Sequence, residues 1–265
     1  MWGGPRDWEL VTRLSALDSL GDYATARGWT HGEGFIVGTT DRQEAKWLTG
    51  KPYVDVDSLQ RFAMDEADLP PLSETLFHRG RFKNRNIFEG PHVLLGQGPK
   101  AKHGLVAALL RGPAVFRHSI LGIGGSRADE PSLGAVCAAL LTDVCLYQAM
   151  MTSSKWLIER DELETWETMA LPLPSAVSTG EETVPYSKLR EAAANPQTAR
   201  VLLAAMEKAY GLSKCERALI RDAVEYELDY FRRGNDSEAA KPPEEAMLKQ
   251  YAQRLSESLT MSFSR

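Results

Sequence analysis

Cysteine is scarce in this chain. There are three, Cys137, Cys145 and Cys215, and no pair has CxxC spacing. That argues against a disulfide framework and against a thiolate zinc site. Cys137 and Cys145 share one apolar run and are expected to be buried free thiols. No run approaches the roughly 18 apolar residues of a membrane-spanning helix, and the N-terminal MWGGPRDWELVTRL lacks the apolar core of a signal peptide. A cytoplasmic location without a membrane partner is therefore the expectation. The histidines His31, His78, His92, His103 and His118 show neither HxH nor HExxH spacing, so no metal site is expected on them. A GxSxG elbow and a P-loop are also missing.

Two motifs come close to chemistry. LGIGGSR (Leu121 to Arg127) follows a strand and resembles a nucleotide or S-adenosylmethionine loop. The helix after it is delayed by ADEPSLG, and no acidic residue stands on a following strand to hold a ribose, so a Gly-rich strand end is expected. Glu44-Ala45-Lys46, with Asp22 upstream, has the ExK spacing of metal-dependent nucleases. No apolar strand flanks it, and it is kept as an alternative only. No catalytic residue, metal ligand or cofactor site is assigned, and whether the chain is itself an enzyme stays open.

What is present is an uneven distribution of charge. The 265 residues carry a net charge of −5. From Arg79 to Arg117, eight cations (Arg79, Arg81, Lys83, Arg85, Lys100, Lys102, Arg111, Arg117) face the single acid Glu89, a local charge of +7. A basic segment in an acidic protein predicts a directed electrostatic face. FHRGRFKNRNIFEGPH also interleaves Phe82, Phe88, Asn84 and Asn86 with its cations. Arg and Asn are the side chains whose forks match guanine and adenine edges in the major groove. Lys100, Lys102 and His103 lie on a turn suited to phosphate. VFRHS is expected to place Arg117 and Ser119 on one side of a strand. MTSSKWLIERDEL adds Ser153, Ser154, Lys155 and Arg160 behind an apolar helix, donors fit for an anion, while Trp156 reads as a core anchor.

The periodicity predicts a mixed α/β (α+β) fold, with a twisted, β-rich domain and a buried helix over residues 1–176 and a helical region over 177–265. DWELVTRLSALDSL reads as a helix N-capped by Asp7, and Phe35 to Val37 as a short strand. GPHVLLGQGPK gives another strand, and LVAALLRGPAVFRHSILGIGG two more around Gly112-Pro113. PSLGAVCAALLTDVCLYQAMM is the strongest helix, apolar almost all round. ALPLPSAVSTGEETVPYSK is a loop. Two amphipathic helices follow, the second capped by Ser213 and Glu216, and EEAMLKQYAQRLSESLTMSF is the last.

In order, WGGPRDWELVTRL, GWTHGEGFIVG, WLTGKPYVDVDSL, NIFEGPHVLLGQG, AVFRHSILGIGG and LLTDVCLYQAMMTSSKWLIERDEL with ETMALPLP resemble a family. It is the target-recognition region of bacterial N6-adenine DNA methyltransferases of restriction–modification and phage-defence systems, and the likeness runs from Trp2 to Pro174. It implies sequence-specific binding of double-stranded DNA. Arg81, Asn84, Arg85 and Arg117 would read base edges, with Ser153, Ser154 and Lys155 on the DNA backbone. Arg160 would sit on a phosphate or on an acid. The family's Asn/Asp-Pro-Pro-aromatic turn is absent, since the Pro-Pro pairs stand in LPPL and KPPE. The chain is thus expected to be an excised recognition domain or a separate specificity chain. S-adenosylmethionine would then belong to an associated methyltransferase catalytic domain or subunit. A protein-interaction subunit using the acidic helical tail is an alternative, which an exposed apolar stripe over residues 199–231 would favour.

Overall fold

The computed structural model describes residues 3–37, 42–78, 85–99, 104–156 and 162–263. The order begins α1 (Pro5–Ser15), α2 (Leu20–Ala26), β1 (Thr30–Glu33), β2 (Arg42–Glu44), β3 (Tyr53–Val54), β4 (Phe62–Ala63) and β5 (Leu76–His78). It continues through β6 (His92–Gly96), β7 (Ala107–Leu110), β8 (Val115–Phe116), β9 (Ile120–Gly124), α3 (Glu130–Leu140), α4 (Asp143–Thr152), α5 (Thr165–Met169) and α6 (Ser175–Ser178). Then come α7 (Tyr186–Ala194), α8 (Pro196–Ala209), α9 (Lys214–Asp222), α10 (Leu228–Arg233) and α11 (Glu245–Phe263). The fold is mixed α/β, as expected.

Among the described residues one five-stranded sheet runs β1-β9-β6-β7-β4, antiparallel except for the β4–β7 pair. Its central strands HVLLG, AALL and ILGIG are buried along their whole length. They read as continuous apolar runs because both faces are covered. Alternation sends Leu94, Ala108, Leu110 and Ile120 into a cluster with Phe35, Leu48, Val54, Phe77, Phe88 and Phe116. The two-stranded pairs β2–β5 and β3–β8 contribute Phe77, Val54, Val115 and Phe116 to that cluster. On the other face, Val93, Leu95 and Leu109 alternate toward α3, which packs on β6 and β7.

Several elements differ from the sequence reading. The long apolar helix is two helices, α3 and α4, bent by 63°. Thr142 makes the break: its Oγ1 donates to the Ala139 carbonyl (2.7 Å) and accepts from the Cys145 N–H (3.5 Å), an N-cap inside an apolar run. Helix α1 begins at Pro5, earlier than expected. Asp7 therefore sits in the first turn, accepting from Gly4 N–H (2.7 Å) and from Tyr147 Oη (2.8 Å). The first strand is Thr30–Glu33, and Phe35 makes only an isolated bridge to Arg117. The Ser213–Glu216 capping box is present, at 2.7 and 3.2 Å. No single helix among the described residues is long and apolar enough to cross a membrane.

The chain divides into two compact units, Met1–Arg221 and Asp222–Arg265. Helices α6 to α8 therefore belong to the first unit, where α8 packs on α3 and α7 on β4. The second unit holds a π-turn at Ala223–Glu227, α10 and α11. Cys137 and Cys145 are buried free thiols, with burial pushing their pKa values up to about 12 and about 11.

Candidate functional site

Of the residues expected to touch DNA, Arg79, Arg81, Lys83, Asn84, Lys100, Lys102, His103 and Arg160 lie outside the described residues. Arg85, Arg117, Ser119, Ser153, Ser154 and Lys155 are described, and they separate into two groups.

Arg85 opens a 3-10 turn, Arg85–Phe88, that packs against β9 and β1. Its side chain is exposed, and its Cζ lies 4.7 Å from the centroid of the Trp47 ring. Among the described residues it has neither a hydrogen bond nor an ion pair. Trp47 is fixed from the core side, with its ring 5.8 Å from that of Phe88, which in turn packs on Phe116 at 4.9 Å. Lys51 bonds Glu89 at 3.0 Å, clamping the turn that carries Trp47 to the segment that carries Arg85. Its Nζ also stands 5.9 Å from the Trp47 centroid.

Arg117, in contrast, is committed within the chain. Its Nη2 donates to Glu74 Oε1 at 2.9 Å, and its Cζ lies 6.0 Å from the Tyr53 ring. Burial works against its charge, but the Glu74 hydrogen bond and the nearby Tyr53 and Asp55 raise its pKa overall. The expected strand ends before Ser119: β8 stops at Phe116, and His118 and Ser119 occupy a turn where the Ser119 carbonyl accepts from Gln97 N–H at 3.0 Å. Arg111, counted in the basic segment, makes a forked ion pair with Glu130 at 2.7 and 3.1 Å.

The donors of Ser153 and Ser154, expected on the DNA backbone, meet an anion inside the chain. Glu167, buried at 6% exposure, accepts from Ser153 Oγ (3.1 Å), Ser154 N–H (2.6 Å), Ser154 Oγ (2.9 Å) and Glu164 N–H (2.9 Å). Burial alone would raise its pKa; these four donors outweigh burial and hold it below the usual carboxylate range. Lys155 Nζ pairs with Glu164. Trp156 is 1% exposed, a core anchor as expected. The same region is tied to the sheet, since Leu163 N–H donates to the Gln97 carbonyl (2.8 Å) and Thr165 Oγ1 to Glu33 (2.7 Å). Replacing Glu167 by Ala should lower stability by about 2 kcal/mol, because four donors lose one acceptor. Chemical denaturation at neutral pH checks this, and an unchanged midpoint would contradict it.

Trp47, Glu164 and Glu167 were not among the expected site residues. A signal did exist for the last two: E-T-W-E has capping-box spacing, and Glu167 caps the start of α5 through the Glu164 N–H. For the nuclease alternative, Glu44 and Lys46 are both exposed and 3.8 Å apart. Among the described residues no group of three or more His, Cys, Asp or Glu could hold a metal ion. The glycines of LGIGG lie in and just after β9. Gly122 is required there because a Cβ would come within 2.4 Å of the Phe116 ring.

No protein-family model matches the sequence, and no curated protein does. Among solved structures, one similar chain comes from the type I R-M system, in work on its complex assembly and conformational transition. Identity is 14% and TM-score 0.29, over 83% of this chain and 55% of that one. A second is the HsdS subunit from Thermoanaerobacter tengcongensis, at 14% identity and TM-score 0.30, over 86% of this chain and 51% of that one. The chain spans about half the length of the solved structures it matches.

Proposed function

We propose that the chain recognises double-stranded DNA in a sequence-dependent way, as the recognition module of an adenine-N6 methyltransferase or of a restriction or phage-defence system. The observation that carries this reading is Arg85. It is an exposed guanidinium with no acid partner among the described residues, held over Trp47 and belonging to the sequence segment in which cations outnumber acids eight to one, although Arg111 and Arg117 of that segment are paired with Glu130 and Glu74. Long-range attraction from such a segment favours a polyanion. Arg81, Asn84 and Arg85 are assigned to base edges, and Arg79, Lys83, Lys100, Lys102 and His103 to phosphates. Arg117, Ser153, Ser154 and Lys155 are engaged with Glu74, Glu167 and Glu164, so their contribution to DNA would run through the shape of the surface. Methyl transfer and S-adenosylmethionine are assigned to a catalytic partner, covalent or separate.

Selection from a random-sequence duplex pool across a salt series tests the reading. An enriched motif is expected, with affinity falling steeply as salt rises. Arg85→Ala should weaken binding by roughly 5- to 100-fold, the worth of a forked base contact, whereas Lys155→Ala should change it less than about 2-fold, as a surface ion pair predicts. Failure to retain any duplex at low salt, with a cognate methyltransferase present as well as without it, would overturn the proposal. A protein-interaction role is the second reading. It is supported by Tyr226, Tyr230 and Phe231, which are 40%, 50% and 38% exposed within the second unit.

A further inference from the structure

Arg85 and Phe88 are the first and last residues of a single 3-10 turn. In that geometry side chains three apart lie one above the other. Here both reach the same indole, Phe88 with its ring at 5.8 Å and Arg85 with its Cζ at 4.7 Å from the Trp47 centroid. Phe88 is 1% exposed and Trp47 is partly buried against the core, while Arg85 is exposed. The Trp47 indole is thus tied to the core through Phe88 and carries the exposed Arg85 guanidinium over its ring. The Lys51–Glu89 bridge at 3.0 Å holds the two backbone segments in register.

We propose that Trp47 is the positioning residue for Arg85, and that the supported guanidinium reads a guanine edge in the major groove. The assignment rests on the DNA-recognition reading above. A cation backed by an aromatic ring keeps its N–H fork for acceptors lying beyond the ring. Guanine offers two such acceptors, O6 and N7, at the spacing of the fork. The support matters because a free arginine must give up rotamer freedom on binding. A guanidinium already resting on an indole has given up much of it. A phosphate presents two acceptors as well, and the two sources differ in what they do to sequence preference and to salt dependence.

The test compares the unmodified chain with Trp47→Phe, Trp47→Leu, Arg85→Ala and the Trp47→Leu/Arg85→Ala double variant. Each is taken through the same duplex selection and salt series, with thermal unfolding recorded in parallel. Arg85→Ala is expected to relax preference at one guanine position. Trp47→Leu should relax that same position and weaken binding about 5-fold, while Trp47→Phe, which keeps a ring, should retain the preference. In the double variant the loss should be no greater than in Arg85→Ala, because two groups acting as one unit are not additive. Should Trp47→Leu keep the guanine preference, or its loss add in full to that of Arg85→Ala, the positioning role is overturned. If Arg85→Ala instead lowers affinity equally for all sequences and reduces the salt slope by about one, Arg85 contacts phosphate and the guanine assignment is overturned. No binding by the unmodified chain overturns the recognition reading and this assignment with it, an outcome distinct from the other two.

Discussion

Lowering the pH from 7 to 5 should remove about 2 kcal/mol of stability through His92, and reaching pH 4 about 3 kcal/mol. His92 is fully buried on β6, and burial depresses its pKa to about 4, against the favourable influence of the Ile87 carbonyl and of Glu89. The neutral ring donates through Nδ1 to Ile87 O at 2.6 Å, while Nε2 has no partner among the described residues. A proton on Nε2 would therefore be buried without an acceptor. The unfolded chain titrates near the ordinary value of about 6.5. Below that pH the unfolded state takes up a proton that the folded state refuses until about pH 4, so stability falls across this window and levels off beneath it. Asp143 and Glu207 act in the opposite sense, since burial raises their pKa values. The informative quantity is therefore the difference between the unmodified chain and His92→Asn, which keeps a donor for Ile87 and cannot titrate. Urea midpoints measured from pH 7 to 4 should converge as the pH drops. Parallel curves would show that His92 does not bear this dependence.

The central strands were legible because a sheet covered on both faces writes its burial directly as apolar runs, in HVLLG, AALL and ILGIG. The short strands were less so: β2 went unread, and β8 was expected to run on to Ser119, because two or three residues are too few to show a period and are fixed by partners distant in sequence. The break at Thr142 was written in the sequence as Thr-Asp, but the surrounding apolar residues hid it. The same contrast governs the site. Ser153 and Ser154 were expected on the DNA backbone; the anion that their donors meet is the side chain of Glu167, 13 residues beyond Ser154, and spacing alone does not name it. Arg85 was legible as a cation in a basic segment. Its support was not, because Trp47 belongs to a turn that only the tertiary fold brings beside it.

Gly134→Ala should destabilise the fold by about 3 kcal/mol, although helix propensity by itself argues for the reverse. Gly134 lies inside α3, where alanine is intrinsically better by about 1 kcal/mol. A Cβ at this position would stand 2.0 Å from the Val184 carbonyl oxygen, well inside contact distance and against backbone. That backbone has little room to retreat. The Val184 N–H donates to the Pro131 carbonyl at 2.9 Å, and Tyr186 and Leu189 just beyond it are buried. Tyr186 also donates to the Met64 carbonyl at 2.7 Å, so moving Val184 would pull α7 away from the sheet edge. Overpacking of this kind costs about 1 to 3 kcal/mol and more where backbone must shift, which exceeds the propensity gain. Gly32→Ala is the matched control. Its Cβ would meet only the Ile87 side chain at 3.7 Å, an ordinary contact, and its effect should stay within about 1 kcal/mol. Thermal unfolding of the two variants separates the cases. Equal melting temperatures would mean that α3 can move away from Val184 freely, and that the close approach of helix and chain at Gly134 is not what sets α7 in place.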